Sequence, residues 1–350
     1  MDSSVLSSRF VTINLDQLII SVLTDHEQTH HRLVRLRPVF RRKYGPETDL
    51  FYQSCYSRGC RDPSILRIDD TYYATGTSSE WAPYYPVFTS KDLVNWKQTG
   101  HVFEQQPEWT KSSFWAPEWY YHNGKVYVYY TARKKSNNTS YIGVATSDSP
   151  TGKFKDHGPV VEFGTEAIDA LSSKTRVIIH QLESLRTGQP ADRTSRQQVD
   201  SGRVKIDRQA VQPAPRRRTC GDGRTALVQK ERLLLSVYAI NGCCGPNSDY
   251  AVAVARSKKL EGPYEKYEGN PILHGSDEIQ SIGHGTLTTT PDGRMFYLCH
   301  AYSEGSDFFL GRQPHLQELR FGEDNWPYFV TGEYAAWYNR CLLPIACKSR

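Results

Sequence analysis

The chain has 350 residues, of which 12% are aromatic and 23% are charged, a composition that excludes a disordered chain and suits one large all-β domain. The formal net charge of +5 is modest, and basic residues concentrate before Gly45 and between Arg176 and Arg218, so we expect no nucleic-acid partner. No apolar run reaches the roughly 18 residues of a membrane span, so we expect no membrane partner.

The two ends of the chain lack the strand pattern of its middle. Residues 1–55 form an appendage of unknown structure, and their first part lacks a basic stretch followed by a long apolar core, so no secretory signal peptide is visible. We predict one strand-rich domain over residues 56–335, and residues 336–350 are a C-terminal tail. The eight cysteines show no zinc-site spacing.

A sequence pattern recurs along the domain. It consists of a strand of small residues, a serine-centred turn and an aromatic residue that begins the next strand. Its copies begin at Val87, Gly143 and Ala253, and an alternating apolar strand precedes each copy. Asn123-Gly124 and Asp292-Gly293 are hairpin signals, because both turn residues need positive φ. Short strands that repeat about every 50–60 residues predict a β-propeller, whereas a β-sandwich would lack the repeated phrase.

The repeat predicts an all-β, five-bladed β-propeller. The blades are expected to begin near Asp62, Trp115, Asp169, Leu233 and His284. The third blade is inferred from the gap between its neighbours, because residues 171–230 show almost none of the pattern. We therefore expect this blade to be incomplete or distorted.

Acidic residues stand near the starts of three predicted blades, namely Asp62, Glu118 and Asp169. The innermost strand of each blade lines the central channel, so residues from distant parts of the chain converge there. A carboxylate flanked by apolar residues is costly to bury unless it is paired or functional. A turn or capping role would explain any one of the three, but their equivalent positions favour a functional site.

These motifs, in this order, resemble glycoside hydrolase family 43, the arabinanase, α-L-arabinofuranosidase and β-xylosidase group. The likeness covers residues 61–170 and 233–329, and its markers are Asp62-Pro63-Ser64-Ile65, Trp115-Ala116-Pro117-Glu118, Glu166-Ala167-Ile168-Asp169-Ala170, Asn241-Gly242-Cys243-Cys244-Gly245, Gly283-His284-Gly285 and Gly311-Arg312-Gln313. The resemblance implies an extracellular hydrolase that cleaves O-glycosidic bonds of arabinose- or xylose-containing polysaccharides. Its partner would be a polysaccharide or oligosaccharide substrate.

The resemblance also implies an inverting mechanism with assigned roles. Asp62 would be the general base that activates water, Asp169 would tune the pKa of the acid, and a Glu at the start of the fourth blade would protonate the leaving oxygen. Inversion leaves about 6.5–9.5 Å between acid and base for the water. Glu118 would contact the substrate, and so would Arg312 unless it forms a structural ion pair. Trp115 would stack on a sugar ring unless it is a core aromatic.

No cofactor is required for this chemistry. The resemblance implies that His284 approaches a central structural cation, calcium or another ion, often through water, and a satisfied core histidine is the alternative. The adjacent Cys243 and Cys244 fit either a vicinal disulfide or two free thiols.

The family pattern breaks between residues 171 and 230, where the Glu-Gly-Pro-like phrase that carries the acid is missing. Asp222 is the nearest acid at a comparable distance, but it is shorter than Glu, and an exposed Asp has a pKa near about 3.9. Codons for Lys230–Ser236, shifted by one nucleotide, can encode Lys-Asn-Gly-Tyr-Tyr-Tyr-Leu, so a frameshift or missed splice site is one hypothesis. A non-catalytic glycan- or protein-binding propeller, or a defective gene product without its acid, are the alternatives to an enzyme.

Overall fold

The computed structural model describes residues 60–161, 167–172, 225–245, 247–259, 262–303 and 311–335, together with the backbone of four short strands elsewhere. The chain divides into two compact units, Met1–Lys43 and Tyr44–Arg350. In the first unit, strand β1 (Ile13–Leu15) pairs antiparallel with β2 (Leu18–Ile20). Among the residues so described, no helix is long and apolar enough to cross a membrane.

The second unit begins with two four-stranded antiparallel sheets, each built in chain order. The first contains β3 (Arg61–Ile68), β4 (Thr71–Thr77), β5 (Tyr84–Ser90) and β6 (Lys97–Phe103). The second contains β7 (Thr110–His122), β8 (Lys125–Lys134), β9 (Ser140–Ser147) and β10 (Lys155–Val161). The hairpin between β7 and β8 turns at Asn123 and Gly124, which both have the positive φ that asparagine and glycine tolerate best.

Three further sheets follow. The third has three strands, β11 (Ala170–Ser172), β12 (Val177–Leu182) and β13 (Thr194–Val199). The fourth contains β14 (Thr225–Lys230), β15 (Leu233–Ile240), β16 (Ala251–Ser257) and β17 (Glu265–Lys266). The last contains β18 (Ile279–Thr289), β19 (Met295–Ser303), β20 (Gln313–Phe321) and β21 (Pro327–Phe329).

The first strands of these sheets lie against one another, with contacts from β3 to β7, β7 to β11, β11 to β14, β14 to β18 and β18 to β3. The all-β propeller architecture is thereby confirmed, with four four-stranded blades. The number of blades as five, and a distorted third blade, stay predictions. The fourth sheet begins at Thr225 rather than near Leu233, because a turn at Glu231, with φ of 53°, joins β14 to β15 without the glycine that would have marked it.

Aromatic side chains fill the spaces between neighbouring sheets. Between the first and second sheets, the rings of Tyr85, Phe103, Phe114 and Tyr130 lie edge-on or tilted to one another. Pairs of this kind contribute about 0.5–1.5 kcal/mol each beyond their area burial. The last sheet packs against the first through one shared apolar cluster, which includes Ile65, Tyr72, Phe88, Phe296 and Leu298.

The up-and-down strand order fixes what lies at each end of the sheets. The start of the first strand and the connection from the second to the third strand share one end, which we call the Asp62 end. In the first sheet, this end contains Asp62 and residues 78–83; in the fourth, it contains residues 241–250. The turn between the first and second strands, such as Asp69–Asp70, lies at the opposite end.

Candidate active site

Asp62 stands at the start of β3 on a backbone that few non-glycine residues adopt. Its φ is 50°, and the pairing of β3 with β4 shifts register between Arg61 and Ser64. The inner strands of other sheets have the same feature at matching places, in Ala116 with φ of 39°, Asp169 with 60° and His284 with 45°. Bulges and positive φ of this kind re-aim side chains and cluster at functional sites. The repeated kink therefore marks the Asp62 end of the channel as the candidate site.

The carboxylate of Asp62 is buried and bonded through both oxygens. Its Oδ1 accepts a hydrogen bond from Arg312 Nη1 at 2.9 Å and lies 3.3 Å from His300 Nδ1 and 3.5 Å from His284 Nδ1. Its Oδ2 accepts from the Thr77 hydroxyl at 2.6 Å. The carboxylate of Asp62 thus contacts residues of the first sheet and of the last sheet, which are far apart in sequence.

The charges around Asp62 decide its protonation. Burial raises the pKa of its carboxyl, but the Arg312 guanidinium, then His284, His300 and the Thr77 hydrogen bond, together outweigh burial and hold that pKa well below its usual range. Burial, followed by Arg312, lowers the pKa of His300 well below its usual value. At neutral pH the site therefore contains an ionised Asp62, a charged Arg312 and a neutral His300.

Asp169 lies close to the same imidazole. Its Oδ2 is 4.0 Å from His284 Nδ1, on the nitrogen that also faces Asp62, and its backbone N–H donates to the Thr131 hydroxyl at 3.3 Å. The structure thus brings together Asp62, Asp169, His284 and Arg312, which sequence reasoning had selected from four separate motifs. The roles assigned to them stay predictions.

Trp115 lies beside this group, half-buried on β7. It pairs in register with Thr131, the residue whose hydroxyl accepts from the Asp169 backbone. The guanidinium of Arg133 lies 5.6 Å from the Trp115 ring centroid. The next residue, Ala116, donates its N–H to the Thr77 hydroxyl at 2.8 Å, and that hydroxyl in turn donates to Asp62.

Glu118 occupies a different environment. Its residue is 2% exposed, and its Oε2 accepts from the Ser64 hydroxyl at 2.7 Å. Its Oε1 accepts from the Ser172 hydroxyl at 2.7 Å and the Ser172 N–H at 2.9 Å. Glu118 therefore links β3, β7 and β11, and this placement favours a structural role over the substrate contact predicted for it.

The profile of the family described as Glycosyl hydrolases family 43 matches residues 56–327. The chain belongs to family 43. The resemblance drawn from the motifs is thereby confirmed.

Relatives of known activity are about a quarter identical to this chain in sequence. An "Extracellular exo-alpha-(1->5)-L-arabinofuranosidase ArbA" of Cellvibrio japonicus is 25% identical, covering 80% of this chain and 89% of that protein. An "Extracellular endo-alpha-(1->5)-L-arabinanase 1" of Bacillus subtilis is 27% identical over 63% of this chain and 72% of that protein. A "Xylan 1,3-beta-xylosidase" of a Vibrio species is 26% identical, but this chain spans only 56% of its length.

Solved structures have the same fold. A thermostable family 43 glycoside hydrolase matches 80% of this chain and 96% of its own, with a TM-score of 0.68 and 24% identity. An exo-1,5-alpha-L-arabinanase from a bovine ruminal metagenomic library matches 77% of this chain and 96% of its own, with a TM-score of 0.63 and 26% identity.

Two residues of this family 43 site, Thr77 and His300, were missed by sequence reasoning. Both lie towards the end of the second strand of their sheet, Thr77 on β4 and His300 on β19. The up-and-down order brings those strand ends beside the inner-strand starts, so polar residues there were a usable signal.

The proton donor and the cation are the two parts of the family 43 site that stay open. Asp222, the candidate acid, lies outside the described residues. Within the part of the chain that is described, no group of three or more His, Cys, Asp or Glu is arranged to hold a metal ion. The Nδ1 of His284 lies nearest the carboxylates of Asp62 and Asp169, and the cation expected near this histidine stays a prediction.

A loop closed by a vicinal disulfide also lies at the Asp62 end of this family 43 domain. Cys243 and Cys244 are bonded to each other, which selects one of the two alternatives that the sequence had left open. Gly242 donates its N–H to Asp249 Oδ1 at 2.8 Å, and Gly245 donates to the Tyr302 hydroxyl at 3.4 Å. The loop is thereby attached to β19, the strand that contains His300.

Proposed function

We propose that this chain hydrolyses O-glycosidic bonds of arabinose- or xylose-containing polysaccharides with inversion. The observation that carries the proposal is the placement of Asp62 and Asp169 around one nitrogen of His284. Membership of family 43 supports the substrate class, and so do relatives named as an arabinanase, an arabinofuranosidase and a xylosidase. We also propose an extracellular location, as the names of two relatives state for those proteins.

In this proposal Asp62 is the general base. A base must be ionised before it can accept a proton from water, and the groups around Asp62, Arg312 foremost, keep it ionised. The same contacts lower its basicity, so its contribution depends on holding the water in line with the anomeric carbon. The bonds from Arg312 and Thr77, and the positive φ of Asp62, fix the carboxylate for that purpose.

Asp169 is proposed to hold the general acid in place and raise its pKa. A second carboxylate near an acid disfavours loss of the acid's proton, which keeps the donor protonated near neutral pH. Trp115, whose strand neighbour Thr131 bonds the Asp169 backbone, is proposed to lie under the sugar ring. The donor itself is expected from the residues between β13 and β14, and Asp222 is the weak candidate there.

We further propose that β11–β13 is the third of five blades. The contacts that run from β3 through β7, β11, β14 and β18 back to β3 support a closed ring of five inner strands. Asp169 also has the positive φ that Asp62, Ala116 and His284 have at the matching place in their sheets. A short third blade is consistent with the break in the sequence pattern.

The direct test is hydrolysis of para-nitrophenyl α-L-arabinofuranoside and β-D-xyloside by the chain and by Asp62→Asn. We expect Asp62→Asn to lower kcat/KM by about 10³-fold while sugar binding, measured by calorimetry, is retained. The exposed Asp70→Asn, at the opposite end of the first sheet, is the matched control and should keep full activity. Equal turnover by Asp62→Asn and the parent chain would remove Asp62 from the base role.

The alternative, a non-catalytic glycan-binding propeller, predicts binding without turnover in the parent chain. Sequencing the coding DNA across residues 165–245 and restoring the reading frame over Leu171–Ser236 separates that case from a missing acid. We expect the restored chain to be more active and to melt at a higher temperature. If both chains match in activity and melting temperature, the frameshift hypothesis is wrong and another acid serves.

A further inference from the structure

The two oxygens of the Asp62 carboxylate have unequal surroundings. Three nitrogen atoms approach Oδ1, namely Arg312 Nη1 at 2.9 Å, His300 Nδ1 at 3.3 Å and His284 Nδ1 at 3.5 Å. Oδ2 accepts a hydrogen bond from the Thr77 hydroxyl at 2.6 Å, its one partner among the described residues. Each oxygen of an ionised carboxylate has about two lone pairs. Oδ2 therefore keeps a lone pair for one further donor, whereas Oδ1 is enclosed by the side chains of the last part of the domain.

The hydrogen bonds of Thr77 fix the direction of its proton. The Thr77 hydroxyl accepts the Ala116 N–H at 2.8 Å, and both residues are buried. A hydroxyl has a single proton, and neither the ionised carboxylate nor the amide can accept and donate in its place, so the proton of Thr77 lies towards Asp62 Oδ2. Asp62 and Ala116 both have positive φ, at the kinked starts of β3 and β7. One hydroxyl thus joins the two kinks and holds Oδ2 on the side of β7.

We propose that Asp62 Oδ2 is the atom that accepts the proton of the attacking water, and that Thr77 is the positioning residue that aims it. This inference rests on the proposed function and deepens it to the level of atoms. Oδ2 is joined through Thr77 to β7, whose Trp115 is proposed to lie under the sugar ring. Arg312 stays on Oδ1, so the contact that holds the charge and the atom that reacts are on different oxygens.

The bonds that change in this step balance. The oxygen of water forms a bond to the anomeric carbon while one of its O–H bonds breaks, and that proton forms a bond to Asp62 Oδ2. The glycosidic C–O bond breaks on the opposite face of the anomeric carbon, and its electron pair leaves with the departing oxygen. Thr77 keeps its own proton throughout, so it positions the base and takes no part in the transfer.

Basicity and position predict opposite effects for the loss of the Thr77 hydroxyl. Its hydrogen bond lowers the pKa of Asp62, so Thr77→Val makes the carboxylate a stronger base. If Oδ1 accepted the proton, this variant would leave kcat unchanged or raise it. If Oδ2 accepts the proton, the variant loses the aim of the reacting atom, and a small displacement lowers the rate steeply. The sign of the change in kcat therefore decides between the two oxygens.

The test is hydrolysis of para-nitrophenyl α-L-arabinofuranoside and β-D-xyloside, with kcat and KM determined separately. Para-nitrophenolate departs without being protonated, so these substrates report on the base rather than on the general acid. We expect Thr77→Val to lower kcat about tenfold while KM stays within about twofold of the parent value. Thr77→Ser, which keeps the hydroxyl, should recover most of kcat. Should Thr77→Val not fold, Thr77→Cys takes its place, because a thiol is a weak donor, and the same fall in kcat is expected.

Thr75→Val is the matched control. Thr75 lies two residues earlier on β4 and is buried like Thr77, but its hydroxyl has no hydrogen-bond partner in the described part of the chain. Its loss should leave kcat unchanged, and Tm should stay the same or rise, because an unpaired buried hydroxyl is unfavourable. Thr77→Val leaves the Ala116 N–H without its acceptor, so its Tm should fall, and kcat is measured well below the Tm of every variant.

The outcomes separate this inference from the proposed function. A kcat in Thr77→Val that equals or exceeds that of the parent, beside an inactive Asp62→Asn, overturns the assignment of Oδ2 and leaves the hydrolase proposal standing. A parent chain that hydrolyses neither substrate overturns both. An equal fall in kcat in Thr75→Val would mean that the loss of any hydroxyl from β4 disturbs the site, and it would overturn the role of Thr77 as well.

Discussion

Two buried carboxylates on neighbouring inner strands, Asp62 and Glu118, show how similar burial serves different ends. Both are less than a tenth exposed, and both accept hydrogen bonds from hydroxyl groups of adjacent strands. Asp62 also faces a guanidinium and two imidazoles from a backbone with positive φ, whereas the carboxylate of Glu118 accepts hydrogen bonds from serine hydroxyl and backbone donors. Charged partners on a strained backbone therefore identify a candidate catalytic group better than burial does.

The largest expected effect on stability belongs to Glu118. Glu118→Ala removes the acceptor of three hydrogen bonds, which come from the buried Ser64 hydroxyl and from the hydroxyl and N–H of the partly buried Ser172. We expect a loss of about 3 kcal/mol in the free energy of unfolding, or a fall of roughly 4–5 °C in Tm. Asp62→Asn, measured alongside by differential scanning calorimetry, should lower Tm by less than Glu118→Ala does, although it lowers kcat/KM by about 10³-fold. A larger fall in Tm for Asp62→Asn than for Glu118→Ala would reverse the contrast.

Arg312→Met sharpens the comparison by removing the charge that distinguishes Asp62. Without the guanidinium, the pKa of Asp62 rises, so more of it is protonated at a given acidic pH. The acidic limb of the kcat/KM profile should move upward by about one pH unit or more, and kcat/KM at neutral pH should fall by about 10-fold.

Arg312→Lys is the matched variant, which keeps the charge but loses the planar donor group. In Arg312→Lys the acidic limb should lie close to that of the parent chain, whereas kcat/KM at neutral pH should recover only in part. An unchanged acidic limb in Arg312→Met would mean that Arg312 does not set the protonation of Asp62.

Sequence motifs could locate Asp62, Asp169, His284 and Arg312 because each stands at a recognisable strand start or loop. They did not locate Thr77 and His300, because the signal for these two residues is the strand order, which brings the ends of the second strands beside the inner-strand starts, and not a local motif. The structural position of Glu118 was equally hidden. The register of β7 against β8 shifts on both sides of Trp115, so the inward or outward direction of Glu118 does not follow from strict alternation.

The propeller fold was easier to predict from the sequence than the boundaries of its blades. Asn123-Gly124 marked its hairpin correctly, whereas the turn at Glu231 has the same positive φ without asparagine or glycine. The start of the fourth blade was therefore placed at its second strand, β15. A local turn signal fails wherever tertiary packing imposes the turn on an ordinary residue.

His315 is a second buried titratable group, and burial is the one cause of its pKa shift. Burial lowers the pKa of His315 to about 3, against about 6.5 in an unfolded chain. Between about pH 6.5 and about pH 3, the unfolded chain binds a proton at His315 that the folded chain does not bind. The free energy of unfolding therefore falls as pH falls through this range, with a slope of up to about 1.4 kcal/mol per pH unit.

Urea unfolding between pH 7 and 4 should show that slope reduced in His315→Gln. The exposed His157→Gln is the control, and its slope should match that of the parent chain. The pKa of Asp62 is lower in the folded chain than in the unfolded chain, so its contribution to stability is lost only below about pH 4. The two groups therefore affect stability in different pH ranges. Equal slopes for His315→Gln and the parent chain would contradict the assignment to His315.

The smallest effect is expected for an ion pair that resembles Asp62–Arg312 in distance alone. Lys91 Nζ lies 2.6 Å from Asp70 Oδ1, closer than Arg312 lies to Asp62, but both side chains are more than half exposed. Water and salt screen such a pair, and ordering a lysine side chain costs conformational entropy. Lys91→Met should therefore leave Tm and kcat/KM within measurement error, while Arg312→Met changes the pH profile. A comparable change in both variants would mean that short charge–charge distance, rather than burial at the kinked strand start, determines what these pairs do.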